Sequence, residues 1–255
     1  ISDIKGLEFL YCRYCTSLTS IPNIPGLIQL ECSRCTSLTF IPNIEGLEYL
    51  YCNGCTSLTS ISMIVGMKKL HCNYCTSLTF IYNIIFGLEI LWCMGCTSLT
   101  SISMIVGLEE LNCRNCTSLT SIQNIVGLKE LNCIECNSLT SIPNIVGLKE
   151  LFCIGCTSLT SIPNIVGLKY LHCNGCTSLT FIPNIEGFEN LNCSGCTSLT
   201  SIPNIEYPGI LYRDGCPWIN PDQERVDKLI KLQRWFDRYL LSIKIDKFIP
   251  LFSKF

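Results

Sequence analysis

Cysteine is the residue in this chain whose type and spacing could do chemistry. Twenty of its 21 cysteines fall into ten Cys-x-x-Cys pairs, from Cys12/Cys15 to Cys193/Cys196, and Cys216 stands alone after Arg213. Three uses fit such pairs. Neighbouring pairs read C-x2-C-x16-C-x2-C, as in Cys12, Cys15, Cys32 and Cys35, which lies within the spacing of four-cysteine zinc sites. Pairs on adjacent rungs of a stacked structure would also lie within disulfide range. Finally, reduced thiols pack as small apolar residues, giving two continuous columns of sulfur.

The pairs return inside a 20-residue unit, G-L-x-x-L-x-C-x-x-C-T-S-L-T-x-I-P-N-I-x, whose first copy runs 6–25 and whose last clear one runs 187–206. A period of this length marks a solenoid, in which no unit can bury its own apolar face. One unit places apolar residues at Leu7, Leu10, Cys12, Cys15, Leu18, Ile21 and Ile24. The single step of two, Leu10 to Cys12, is strand alternation. The steps of three predict an extended, polyproline-like or 3₁₀ return rather than an α-helix. Prolines at 22, 42, 143, 163, 183 and 203, and a glycine opening each unit, remove what helix propensity is left. Stacked units should then lay their strands side by side as a parallel sheet of about ten rungs.

The pattern Leu7-x-x-Leu10-x-Cys12-x-x-Cys15-x-x-Leu18 resembles the leucine-rich repeat consensus, with cysteine where that family usually has leucine and asparagine. The length of 20 with I-P-x-I on the return is similar to the family's shortest class. The resemblance covers residues 1–216. It implies a horseshoe solenoid with short parallel strands on a concave face, an extended or 3₁₀ convex side, and protein binding on the concave face. The fuller wording, followed by Leu232-Gln-Arg-Trp-Phe-Asp-Arg-Tyr-Leu240, resembles repeat proteins of giant DNA viruses.

Within that pattern each cysteine takes a slot meant for a core side chain. Filling those slots with zinc would bury charged thiolates along an apolar column, so the arithmetic favours the structural use, with no metal and no cofactor. An odd count of 21 leaves one thiol unpaired, which fits a reducing compartment, the cytoplasm (the host's, if the chain is viral). A catalytic thiol finds no support, because the two histidines, His71 and His172, sit five units apart. A metal- or redox-responsive protein built on the columns is the rival reading.

Composition narrows the partners. Of 255 residues 48% are apolar and 15% charged, with net charge −2, so a large core is available and nucleic acid finds no basic surface. No run of 18 apolar residues could cross a membrane. No small-molecule substrate is evident either. The expected partner is a protein, host or viral.

Variation between units concentrates at Glu8, Phe9, Tyr11, Arg13, Tyr14 and their equivalents, around the strand. The file containing Tyr11 continues through Tyr51, His71, Trp92, Phe152 and His172, and Tyr170 stands in the file beside it. These seven are the candidate partner-binding residues, although aromatics are also good strand formers. Glu109, Glu110, Glu130, Glu135 and Glu150 cluster mid-chain, but Lys129, Arg114 and Lys149 dilute them, which reads as a solvated face. Two further ladders are expected to satisfy turn backbone: the asparagines equivalent to Asn23, and the Thr16-Ser17 hydroxyls. The fourth unit carries one extra residue near Ile84-Ile85-Phe86, expected to bulge.

The segment 217–255 differs in kind. Asn220-Pro221-Asp222-Gln223 reads as a helix start, and Val226, Leu229, Ile230, Gln233, Phe236 and Leu240 follow at helical spacing. A C-terminal capping α-helix closing the last coil is the expectation. It carries eight Lys/Arg against five Asp/Glu. The chain begins in mid-repeat, so the sequence leaves open a substrate-recruiting fragment of a larger ligase or effector.

Overall fold

A computed structural model describes residues 6–62, 64–81, 87–103, 105–185, 187–202 and 209–217. The segment 217–255, with its expected helix, lies outside the described residues except for Pro217, and so does the expected bulge at 84–86. No helix among the described residues is long and apolar enough to cross a membrane.

Eleven three-residue strands form one parallel sheet in chain order: Phe9–Tyr11, Gln29–Glu31, Tyr49–Tyr51, Lys69–His71, Ile90–Trp92, Glu110–Asn112, Glu130–Asn132, Glu150–Phe152, Tyr170–His172, Asn190–Asn192 and Ile210–Tyr212. Each pairs with the next in the register the repeat dictates, Leu30 with Leu50 and Leu131 with Leu151. The degenerate eleventh unit joins the ladder as well, Leu191 pairing with Leu211. The fourth unit keeps register despite its extra residue, for Leu70 pairs with Leu91. The chain is therefore a parallel β-solenoid.

All seven inward slots are closed off. In the second coil Leu27, Leu30, Cys32, Cys35, Leu38, Ile41 and Ile44 are all fully buried, and the same slots are buried in the following coils as far as Leu199, among the described residues. Seven side chains of a coil thus meet those of the coils above and below, burying surface worth about 0.8 kcal/mol per methylene.

The steps of three have a different origin from the one the sequence suggests. The path between strands is a set of separate turns, each closed by one i→i+3 bond: Cys35 N–H to Cys32 C=O at 3.3 Å, Leu38 to Cys35 at 3.0 Å, Leu47 to Ile44 at 3.3 Å. Among the described residues no 3₁₀ helix grows from them. Two of these turns need a left-handed residue third in the turn. At Ile125-Val126-Gly127-Leu128 it is Gly127, with φ +96°. At Cys133-Ile134-Glu135-Cys136 it is Glu135, with φ +59°. The extended return does carry a partial second ladder, Phe40–Ile41 with Ser60–Ile61 and Ser101–Ile102 with Ser121–Ile122.

The hydroxyl ladder forms at other residues than expected. Thr120 donates its hydroxyl to the Thr100 carbonyl at 3.0 Å, Thr160 to Thr140 at 3.3 Å and Thr180 to Thr160 at 3.2 Å. These are the threonines after the leucine, not the Thr16-Ser17 pair, of which only Ser138 (donating to Thr117 at 2.7 Å) does the same. The asparagines equivalent to Asn23 point outward instead: Asn43, Asn144 and Asn164 are exposed.

Candidate functional site: the outer sheet face and the sulfur column

The two cysteines of a motif do different work. The second donates its thiol to the backbone carbonyl of the first cysteine on the preceding coil. Cys55 reaches Cys32 at 3.1 Å, Cys96 reaches Cys72 at 3.1 Å and Cys176 reaches Cys153 at 3.0 Å; the series runs unbroken from Cys35 to Cys216. The Cys32 carbonyl already accepts the Cys35 N–H, so the thiol occupies its second lone pair. The thiols of Cys32 and Cys55 also contact one another, and that contact, then burial, pushes the Cys32 thiol far above its ordinary value. The same causes raise Cys52, Cys93, Cys113 and Cys153. These sulfurs stay protonated, unreactive and apolar.

All 21 cysteines are free thiols. No group of three or more His, Cys, Asp or Glu among the described residues is arranged to hold a metal ion. Cys15, on the first described coil, is exposed, whereas its counterparts on later coils are buried.

On the opposite side of the nine strands between the first and the last the flanking residues look outward, half-buried about a buried leucine. Here the candidate aromatics fall into two groups. Tyr51 meets His71 edge-on at 5.0 Å, and His71 stacks flat on Trp92, centroids 4.3 Å apart at 9°. The Trp92 indole N–H donates to Glu110 Oε1 at 2.6 Å. Farther along, Phe152 meets His172 edge-on at 5.2 Å. Asn112 and Asn132 separate the groups, so the file is not continuous. Tyr170 turns toward the neighbouring file, its hydroxyl donating to Glu189 at 2.6 Å, and Tyr11 is exposed on the first strand, accepting from Gln29 Nε2 at 3.3 Å. Burial, helped by Lys69, pulls the His71 imidazole below its ordinary value, so it presents a neutral ring to Trp92.

On the coils of Tyr51, His71 and Trp92 the backbone shows what a ring in this file displaces. The N–H two residues beyond it needs an acceptor, and Asn112 Oδ1 serves Arg114 (3.2 Å), Asn132 serves Ile134 (3.3 Å) and Asn192 serves Ser194 (3.1 Å). Glu31 does likewise for Ser33 at 3.2 Å. Tyr51, His71 and Trp92 cannot. On those coils the preceding coil supplies the acceptor: Ser33 Oγ for Asn53 N–H (3.2 Å), Asn53 Oδ1 for Asn73 (3.0 Å) and Asn73 Oδ1 for Met94 (2.9 Å). The buried Ser33 and Asn73 are thus what allows three consecutive aromatic rings. Sequence reasoning missed this role, though the run Ser33, Asn53, Asn73 alongside the rings was its visible trace.

Tyr14 belongs by sequence to the variable slots around the strand. Its slot is instead the left-handed turn position, φ +60°, filled by glycine at Gly54, Gly95, Gly155, Gly175, Gly195 and Gly215. Variation there answers to backbone geometry before partners.

Comparison with known proteins adds little. No family model matches the chain, and no curated protein matches it. Among solved structures, a leucine-rich repeat protein from Bacteroides ovatus ATCC 8483 is similar over 76% of this chain and 81% of its own, at 16% identity and a TM-score of 0.29. So loose an overlap carries no argument, and the reading of this chain rests on its own residues.

Proposed function

We propose that this protein is a non-catalytic binding module of the leucine-rich-repeat kind, which takes a partner protein, host or viral, on the outer face of its long sheet. Tyr11, Tyr51, His71, Trp92, Phe152, Tyr170 and His172 are its contact residues. The observation that carries this reading is the Tyr51–His71–Trp92 stack. Three successive coils hold rings half-exposed on one face, and Ser33, Asn53 and Asn73, each one coil earlier, supply the backbone acceptors those rings cannot. Exposed, pre-ordered aromatics of this kind dominate binding energy at protein interfaces. The buried sulfur columns, in which the first thiol of each pair is held protonated, favour the reduced cytoplasm as the place of work over a metal or redox function.

The test compares capture from a host-cell lysate by the native chain, by a Tyr51/Trp92/Phe152 triple alanine variant and by a Val126/Val146/Val166 triple alanine variant on another side of the coil. A partner lost only by the first variant, and whose footprint by hydrogen exchange covers the sheet face, supports the reading. Equal retention by all three sinks it.

A further inference from the structure

The aromatic rings give the face its area; the carboxylates between the two ring groups give it a chemical preference. Glu110, Glu130 and Glu150 are direct register partners on three adjacent strands at the middle of the sheet. Strand spacing puts the outer two about 10 Å apart. Like charges directly opposite one another destabilise a sheet. Burial, with Glu110 and Glu150 alongside, pushes the Glu130 carboxyl above its ordinary value.

The chain has cations in the adjacent file but spends them elsewhere. Lys129 pairs with Glu109 at 2.7 Å, Lys169 pairs with Glu189, and Lys149 Nζ donates to the Gly167 carbonyl at 3.4 Å. The expected dilution of the acidic cluster by these lysines is therefore not realised at this row. The contact Glu110 makes is with a neutral donor, the Trp92 indole. That indole, stacked on His71, borders the row on one side, and Phe152 borders it on the other. A row of carboxylates that makes no ion pair among the described residues, set between two aromatic surfaces, is complementary to a positively charged side chain, which gains from both carboxylate and ring. The three carboxylates are not arranged to hold a metal ion.

We propose that the strip from Trp92 to Phe152 binds an extended segment of a partner protein carrying two lysines or arginines, with the cations on the Glu110–Glu130–Glu150 row and the flanking residues against Trp92 and Phe152. A polyproline-like extended chain advances about 3.1 Å per residue and returns to the same face every third residue, so cations three residues apart stand about 9 Å apart on one side and span the row. This rests on the reading of the sheet face as the partner surface, and it gives that partner a charge.

The probe is a fluorescein-labelled peptide, Gly-Ser-Lys-Ser-Thr-Lys-Ser-Gly, with a second peptide carrying glutamine at both lysines, titrated by anisotropy against the full chain at low salt. The lysine peptide should bind about tenfold tighter than the glutamine peptide, with Glu130→Gln and Trp92→Ala each weakening it about three- to fivefold. Glu45→Gln, the same charge change at an exposed turn, should leave binding unchanged. Equal binding of the two peptides overturns the proposal, as does an effect of Glu45→Gln equal to that of Glu130→Gln. If the lysine peptide fails while the aromatic triple variant still loses a captured protein, the face stands and its basic preference falls. If both fail, the face itself falls, and the proposal with it.

Discussion

The thiol of Cys55 donates to the backbone carbonyl of Cys32, one coil earlier, at 3.1 Å. The motif C-x-x-C therefore acts between coils rather than within one, and its two sulfurs are not equivalent. Serine tells them apart. At Cys116 a hydroxyl inherits the carbonyl of Cys93 as acceptor; at Cys113 it meets chiefly apolar surroundings. Under reducing conditions Cys113→Ser should destabilise by about 1 kcal/mol more than Cys116→Ser in urea unfolding. Equal losses would mean that the second thiol is only a space-filler.

Thiol titration checks the state of the whole column. In denaturant and without reductant all 21 cysteines should react with an aromatic disulfide reagent. In the native protein Cys15 alone should react fast, because it is exposed while Cys12 is partly buried with its thiol pushed up to about 12. Slow native reaction at every site with fewer than 21 thiols after unfolding would point to disulfides.

Leu111 and Trp92 should separate core from face. Leu111→Ala, in a fully buried slot, should cost about 2–5 kcal/mol. Trp92→Ala should cost about 1–2 kcal/mol, since the ring stacks on His71 and bonds Glu110. From sequence alone almost no cost is expected at Trp92; its ladder contacts raise that figure. A loss at Trp92 equal to that at Leu111 would make the ring core.

Glu135 and Gly95 occupy the same left-handed slot on different coils. Glu135→Gly should stabilise by about 0.5–1 kcal/mol, the relief of left-handed strain less the added freedom of the unfolded chain. Gly95→Ala should cost about 1–3 kcal/mol, because a Cβ there would come within 2.6 Å of the Tyr74 ring. Both changes are read from denaturation midpoints.

Glu130 makes stability depend on pH in a direction opposite to the usual carboxylate. Its folded value is raised, so the folded state holds the proton more tightly than the unfolded chain. Stability is then lost as pH rises from the ordinary carboxylate value through the folded one. Glu130→Gln should raise Tm at pH 7, and the gain should shrink toward zero as the pH falls below the ordinary value. A gain that persists in acid would trace to something other than charge.

Much of the fold is legible in the repeat itself. Seven apolar slots per unit, one step of two and a strict period place Leu30, Cys32 and their equivalents inside and set strand on strand, because in a solenoid local spacing and tertiary register are the same information. What the spacing does not carry is the handedness of a turn or the direction of a side-chain donor. Steps of three arise equally from a 3₁₀ run and from separate turns, and a positive φ at the third residue of a turn, as at Glu135 and Gly127, distinguishes them. The glycines at 54, 95 and 155 were the available sign. Asn112 and Tyr51 share a slot, yet one caps the backbone and the other leaves that work to Ser33 on the coil before; a file read one residue at a time hides the exchange.

Because the coils from Cys12 to Cys216 offer a carbonyl on one side and a thiol on the other in the same geometry, this bond by itself sets no order among them. Removing or duplicating one 20-residue module leaves donors and acceptors balanced. Gene-level slippage could therefore lengthen or shorten this molecule while preserving its core, and reshuffle which rings and carboxylates stand side by side. The sulfur column acts as a uniform coupling, and the outer face is what such a coupling leaves free to diversify.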